Sequence, residues 1–128
     1  MTDYQSHGKH VFLDYTGYEY AEVKQGEWIL KILQEAVAHA NARAVHAHVA
    51  PFDGSISPLG FAAVVLIDES HVTAHCYSER GWLAIDCFTC GESDPNLMAD
   101  YIQEQLIETM PKLQLMQRQE VGRFLHGA

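Results

Sequence analysis

Residues 60–91 read GFAAVVLIDESHVTAHCYSERGWLAIDCFTCG, and this stretch decides the fold. Gly60 to Ile67 is almost wholly apolar, the pattern of a strand covered on both faces. His71 to Tyr77 alternates, with Val72, Ala74 and Cys76 on one face and His71, Thr73, His75 and Tyr77 on the other. Trp82 to Phe88 is a further strand. Ser78-Glu79-Arg80-Gly81 between the last two reads as a hairpin turn. Adjacent strands with short connections favour antiparallel pairing.

Outward from this centre, Lys9 to Tyr15 is a first strand and Gly26 to Ala42 an amphipathic helix. Its apolar residues Trp28, Ile29, Ile32, Leu33, Ala36, Val37 and Ala40 recur at three-to-four spacing. Ala44 to Ala50 is a second strand, and Pro51 to Pro58 a loop rich in turn residues. Asp94 caps a second helix with Pro95 at its first position. Lys112 to Arg123 is a last strand, at an edge or paired with another copy. The order predicts an α+β fold: a two-layer sandwich, mainly antiparallel, with the helices packed on one face. Such a domain leaves its other sheet face needing cover, which dimerisation would supply.

Composition narrows the function. The chain has 128 residues, 48% apolar and 20% charged, as expected of one globular domain. A net charge of −9 with no dense Lys/Arg cluster argues against nucleic acid and suits a cationic small substrate. No apolar run is long enough to span a bilayer, and the N-terminus has no secretory pattern, so a cytoplasmic location is expected. The three cysteines, Cys76, Cys87 and Cys90, would then be reduced thiols. Cys76 and Cys87 read as buried, whereas Cys90 lies just past a strand end beside Gly91.

The chemistry centres on Ser70. A turn can hold a peptide bond under strain with a hydroxyl beside the preceding carbonyl. Ser70 Oγ can then attack the Glu69 carbonyl, and the resulting ester can eliminate and hydrolyse to leave a pyruvoyl group. The elimination needs a base, and His75 has a suitable pKa. Strict alternation puts Ser70 and His75 on opposite faces, so a bend or bulge near Ser70 is expected to reconcile them.

At these residues the sequence resembles the short prokaryotic form of S-adenosylmethionine decarboxylase. The likeness is carried by Glu69-Ser70-His71, His75, the Tyr77-x-Glu79 pair and Asp86-x-Phe88-Thr89-Cys90-Gly91. Ser57-Pro58-x-Gly60 and the opening Gly8-Lys9-His10 fit as well. The resemblance implies self-cleavage between Glu69 and Ser70 into a β chain, residues 1–69, and an α chain, residues 70–128. Ser70 would become the pyruvoyl cofactor, His75 the processing base and Cys90 the proton donor. The substrate amine would form a Schiff base with the pyruvoyl carbonyl, which acts as electron sink for loss of carbon dioxide. It further implies spermidine biosynthesis and a homodimer of processed αβ units with sites near the interface.

The chain also departs from the family. Cys76-Tyr77-Ser78-Glu79 replaces the usual Thr-Trp-Pro-Glu or Thr-Tyr-Pro-Glu. Tyr77 can still stack on adenine and Glu79 can still accept from ribose hydroxyls. The second aromatic wall falls at Ile56, which cannot stack, and a processing serine falls at Ala62. A weakened nucleoside pocket fits a runner-up substrate, arginine or ornithine. Loss of the hydroxyl at position 62 fits slow processing, or an uncut, catalytically dead partner protein.

Three further signals carry bland readings. Cys87-x-x-Cys90 alone suggests a redox pair or half a zinc site, but a redox motif should open a helix directly, and here Gly91-Glu92-Ser93 intervene. His46 and His48 share a strand face, yet zinc needs three or four converging ligands, so no metal site is expected. Tyr4, Tyr15, Tyr18 and Tyr20 read as packing or interface residues, and Trp82 as core.

Overall fold

The computed structural model describes residues 4–19, 25–90 and 92–127. Six strands and two helices follow the order β1 (Tyr4–Thr16), α1 (Gln25–His39), β2 (His46–Phe52), β3 (Gly60–Ile67), β4 (Ser70–Tyr77), β5 (Trp82–Thr89), α2 (Pro95–Thr109), β6 (Gln114–Gly127). One sheet runs β2-β3-β4-β5-β1-β6, and every neighbouring pair is antiparallel. This is the expected two-layer α+β sandwich.

Strand alternation sorts the sheet into two unlike faces. Val11, Leu13, Tyr15, Val65, Val72, Ala74, Leu83, Ile85 and Cys87 point toward the helices and are almost fully buried. There they meet Ile29, Ile32, Leu33, Ala36 and Val37 of α1 and Met98, Ala99, Ile102 and Leu106 of α2. Each large apolar side chain so buried contributes about 1.5–3 kcal/mol, so both helices are held by their stripes rather than by propensity. Asp94 caps α2 by accepting from the Asn96 main-chain N–H at 2.9 Å, with Pro95 directly after it.

The opposite face has no helical layer. Tyr77 and Trp82, 45% and 44% exposed, lie on it, as does Leu66 at 43%. Gly60–Ile67 is therefore covered on one face only within the chain, not on both. Trp82 likewise sits on this open face rather than in the core. It has the same strand parity as Ala84 and Asp86, opposite to buried Leu83 and Ile85.

Other boundaries moved for physical reasons. Helix α1 stops at His39 because the chain closes a left-handed cap. The Ala42 N–H bonds to the Val37 carbonyl, the Asn41 N–H bonds to the Ala38 carbonyl, and Asn41 adopts φ +57°. Strand β2 continues through Pro51 and Phe52, because an edge strand tolerates a residue without an N–H. Strands β1 and β6 outrun their apolar patterns because they pair with each other from Tyr4↔Gly127 to Thr16↔Gln114. β6 is an edge strand. Tyr15 and Tyr18 are buried packing residues, Tyr20 lies outside the described residues, and of Tyr4 only the main chain is described.

Candidate active site

Strands β3 and β4 are joined by the shortest kind of hairpin turn. Ile67 pairs with Ser70, leaving Asp68 and Glu69 as the two turn residues, and Asp68 adopts φ +44°. Ser70, the first residue of β4, is 6% exposed and faces the helical side. Its Oγ accepts a 2.9 Å hydrogen bond from the Cys90 main-chain N–H. Thr89 steadies the segment around Cys90 by donating to the Ser93 carbonyl at 2.9 Å. The candidate cleavage-site serine and the candidate proton donor, twenty residues apart in sequence, thus sit side by side.

Gly8 makes room for this junction. A β-carbon there would lie 3.0 Å from the Thr89 carbonyl oxygen and 3.2 Å from Cys90 Sγ. Desolvation and the nearby Glu69 carboxylate raise the Cys90 thiol above its ordinary pKa, against the lowering influence of Arg123. That direction favours the protonated thiol and is the opposite of what a low-pKa nucleophile shows. Arg123 lies over the Phe88 ring, 5.4 Å from its centroid. Beside them His10 Nε2 donates to Asp86 Oδ1 at 2.8 Å. His71 has its pKa lowered, first by burial and then by His10. The Gly8-Lys9-His10 and Asp86-x-Phe88 motifs therefore meet on adjacent strands, with His10 opposite Phe88 in the register.

His75 is not part of this group. Five residues of extended strand put it roughly 17 Å from Ser70. It is exposed on the open face, whereas Ser70 faces the helices. No bulge interrupts β4 against either neighbour, so the bend expected near Ser70 is absent and the two residues stay apart within one chain. His75 pairs with Ala62 across β3, so the two positions that the resemblance linked to processing adjoin, with a methyl where a hydroxyl was expected.

The candidate substrate residues gather at the His75 end. A cavity of about 220 Å³ is bounded by Phe52, Ser57, Phe61, His75 and Tyr77. A second, about 320 Å³, includes Asp14, Thr16, His75, Tyr77, Trp82 and Met116. Trp82 meets Tyr77 edge-on at 5.9 Å, and the Arg80 guanidinium lies 4.9 Å from the centre of its ring. Ile56 is 98% exposed on the loop after β2, where it borders a third hollow with Phe52. Glu79 lies exposed in the β4–β5 turn. Sequence reasoning missed Trp82, Phe52 and Asp14. For Trp82 the parity against Ala84 and Asp86 was the available signal.

Cys87 faces the helices with its thiol pushed up to about 12, chiefly by burial, while Cys90 lies past the strand end. His46 and His48 stack at 6.4 Å on edge strand β2. Among the described residues, no three His, Cys, Asp or Glu side chains converge as a metal set.

The family model for S-adenosylmethionine decarboxylase matches residues 9–119, most of the chain and all of the site. The chain belongs to the S-adenosylmethionine decarboxylase family. An S-adenosylmethionine decarboxylase proenzyme from Brevibacillus brevis is 36% identical over 101 residues, covering 78% of this chain and 73% of the relative. A protein of the same name from Pyrococcus abyssi is 33% identical over 99 residues, covering 77% and 68%. The crystal structure of the adenosylmethionine decarboxylase from Aquifex aeolicus superposes with a TM-score of 0.74 at 28% identity, over 93% of this chain and 92% of that one. Within this family frame, Ser70 and Cys90 lie at one end of the sheet, and His75, Tyr77 and Glu79 lie at the other.

Proposed function

We propose that this chain is a proenzyme that cuts itself before Ser70 and then decarboxylates S-adenosylmethionine. One observation carries the reading: the Ser70 hydroxyl, at the end of a tight turn, is held against Cys90 inside a family-matching frame. Ser70 Oγ bonds to the Glu69 carbonyl carbon as the C–N bond breaks, and the hydroxyl proton passes to the amide nitrogen. A base removes the Ser70 α-proton, the Cβ–O bond breaks, and Glu69 leaves as a carboxylate. Water then replaces the new amine, and ammonia departs.

The residues present fit a pyruvoyl group at position 70. The site offers a main-chain donor from Cys90, limited solvent access and a thiol on that same residue. Once formed, the group supplies an electron sink for the departing carboxylate. Cys90, kept protonated, delivers a proton from Sγ to the substrate carbon. Tyr77 offers a ring face to adenine, and Glu79 accepts from ribose hydroxyls. Ile56 adds only an aliphatic contact, and Trp82 provides a second aromatic surface beside Tyr77.

The working unit in this reading is a homodimer. Two open sheet faces packed together with strands reversed set His75 of one copy at the sheet end that carries Ser70 and Cys90 in the other, where it approaches Ser70, which faces the helices, around the end of β4. The separation of Ser70 and His75 within one chain supports this, as do exposed Leu66, Tyr77, Trp82, Met116 and Val121.

Intact mass spectrometry of fresh protein tests the proposal. Two polypeptides of roughly 8 and 7 kDa, by the usual mass per residue, are expected, the smaller with a carbonyl in place of its amine. Release of labelled carbon dioxide from S-adenosylmethionine, rather than from arginine or ornithine, identifies the substrate. A single intact chain with no carbonyl would sink the reading and leave an uncut partner protein.

A further inference from the structure

The scissile turn is latched to the C-terminal end of α1, and we infer that Arg43 and Asp68 form a positioning pair for self-cleavage at Ser70. The inference rests on the cleavage reading above. The left-handed cap at Asn41 turns the chain out of α1. Val45 N–H then bonds to the Leu66 carbonyl at 2.7 Å, aligning the segment beside the β3–β4 hairpin. From there the Arg43 guanidinium donates to Asp68 Oδ1 at 2.5 Å. Asp68 is the residue just before Glu69, so the clamp grips the turn one residue from the bond to be cut.

Two observations separate this pair from an ordinary surface ion pair. First, Asp68 is held at φ +44°, a conformation in which glycine is free of the Cβ penalty and most other residues are not. Second, a cavity of about 320 Å³ opens on this side, bordered by Arg43, Asp68, Glu69, Ser70, Thr89 and Ser93. It leaves room for the Glu69 carbonyl carbon to become tetrahedral without displacing the core. The Arg43 and Asp68 side chains are 78% and 42% exposed. Exposed pairs of this kind contribute little to stability, so the effect of the pair falls on where the turn sits. Ser70 Oγ is fixed separately, by the Cys90 N–H. The nucleophile and the turn that carries the carbonyl are thus each held by a separate anchor. With alanine at position 62, the turn itself takes a larger share of aligning them.

The test follows conversion of freshly made full-length chain by mass spectrometry, alongside turnover per carbonyl formed. Arg43→Ala and Asp68→Gly should each slow cleavage about fivefold or more, the scale on which loss of a modest aligning contact changes a rate. Arg43→Lys, which keeps the charge, should recover most of the rate. Asp68→Gly should hold or raise the thermal midpoint, because glycine adopts a positive φ freely, which removes misfolding as the cause of slowing. After cleavage Asp68 no longer restrains a bond, so decarboxylation per carbonyl should match the unaltered enzyme in all three variants. Cleavage of either Arg43→Ala or Asp68→Gly at the unaltered rate overturns the clamp alone. An unaltered chain that never cuts overturns the cleavage reading and the clamp with it.

Discussion

The Ser70 hydroxyl accepts a 2.9 Å hydrogen bond from the main-chain N–H of Cys90, which places the residue just past β5 against the first residue of β4. The donor is the peptide group and not the thiol. In the proposed reaction one residue would then take part in two steps through two different atoms: its N–H orienting the nucleophile of cleavage, its Sγ serving the later reaction.

This division predicts a clean separation on substitution. Cys90→Ala keeps the N–H and should cleave at the unaltered rate. Decarboxylation should fall by about 10²–10⁴-fold, the usual worth of a positioned proton donor. Mass spectrometry reads the first and carbon dioxide release the second. Cleavage lost together with activity would contradict the assignment of the two roles.

The pH dependence of turnover has a definite sign. The Cys90 thiol is raised by desolvation and by Glu69, so it remains a donor through neutral pH. The rate should fall only as pH rises through that elevated value, giving an alkaline limb above the ordinary thiol range. Arg123 acts in the lowering direction, so Arg123→Gln should move the limb to still higher pH. A limb that shifts downward in that variant would exclude Arg123 as the opposing charge.

Separation of Ser70 from His75 predicts complementation between defective chains. Ser70→Ala alone and His75→Ala alone should both remain largely uncut. Co-expressed, they should form mixed dimers in which the His75→Ala chain is cleaved, because its Ser70 meets His75 of the other chain. Differently tagged chains resolved by mass make this visible. Cleavage of the His75→Ala chain by itself, at the unaltered rate, would place the base elsewhere.

A steric prediction concerns the strand entry to the site. A β-carbon at Gly60 would lie 1.8 Å from the Cys76 carbonyl oxygen, a main-chain atom that cannot swing aside. Gly60→Ala should force β3 away from β4 and cost more than about 2 kcal/mol, in the range of strained core substitutions. Thermal or urea denaturation measures it. Gly8→Ala, where the nearest contacts are 3.0 and 3.2 Å, should be milder for stability while displacing Cys90 Sγ and lowering turnover.

The sequence by itself determined the element order, the antiparallel pairing and which cysteines are buried. These depend on period-two alternation and on short turns, both local properties of the chain. It also pointed to Ser70, His75 and Cys90 through their spacing and the family resemblance. What it could not place was the distance between them. Along an extended strand Ser70 and His75 diverge in both position and face, while Cys90 returns to Ser70 only because β5 folds back alongside β4. Likewise Trp82 reads as core until the sheet shows that its parity belongs to the face without helices. The Arg43–Asp68 contact exists only because a left-handed cap redirects the chain after α1. Local pattern fixes what each segment is; the pairing of segments remote in sequence fixes which side chains meet, and that depends on tertiary packing.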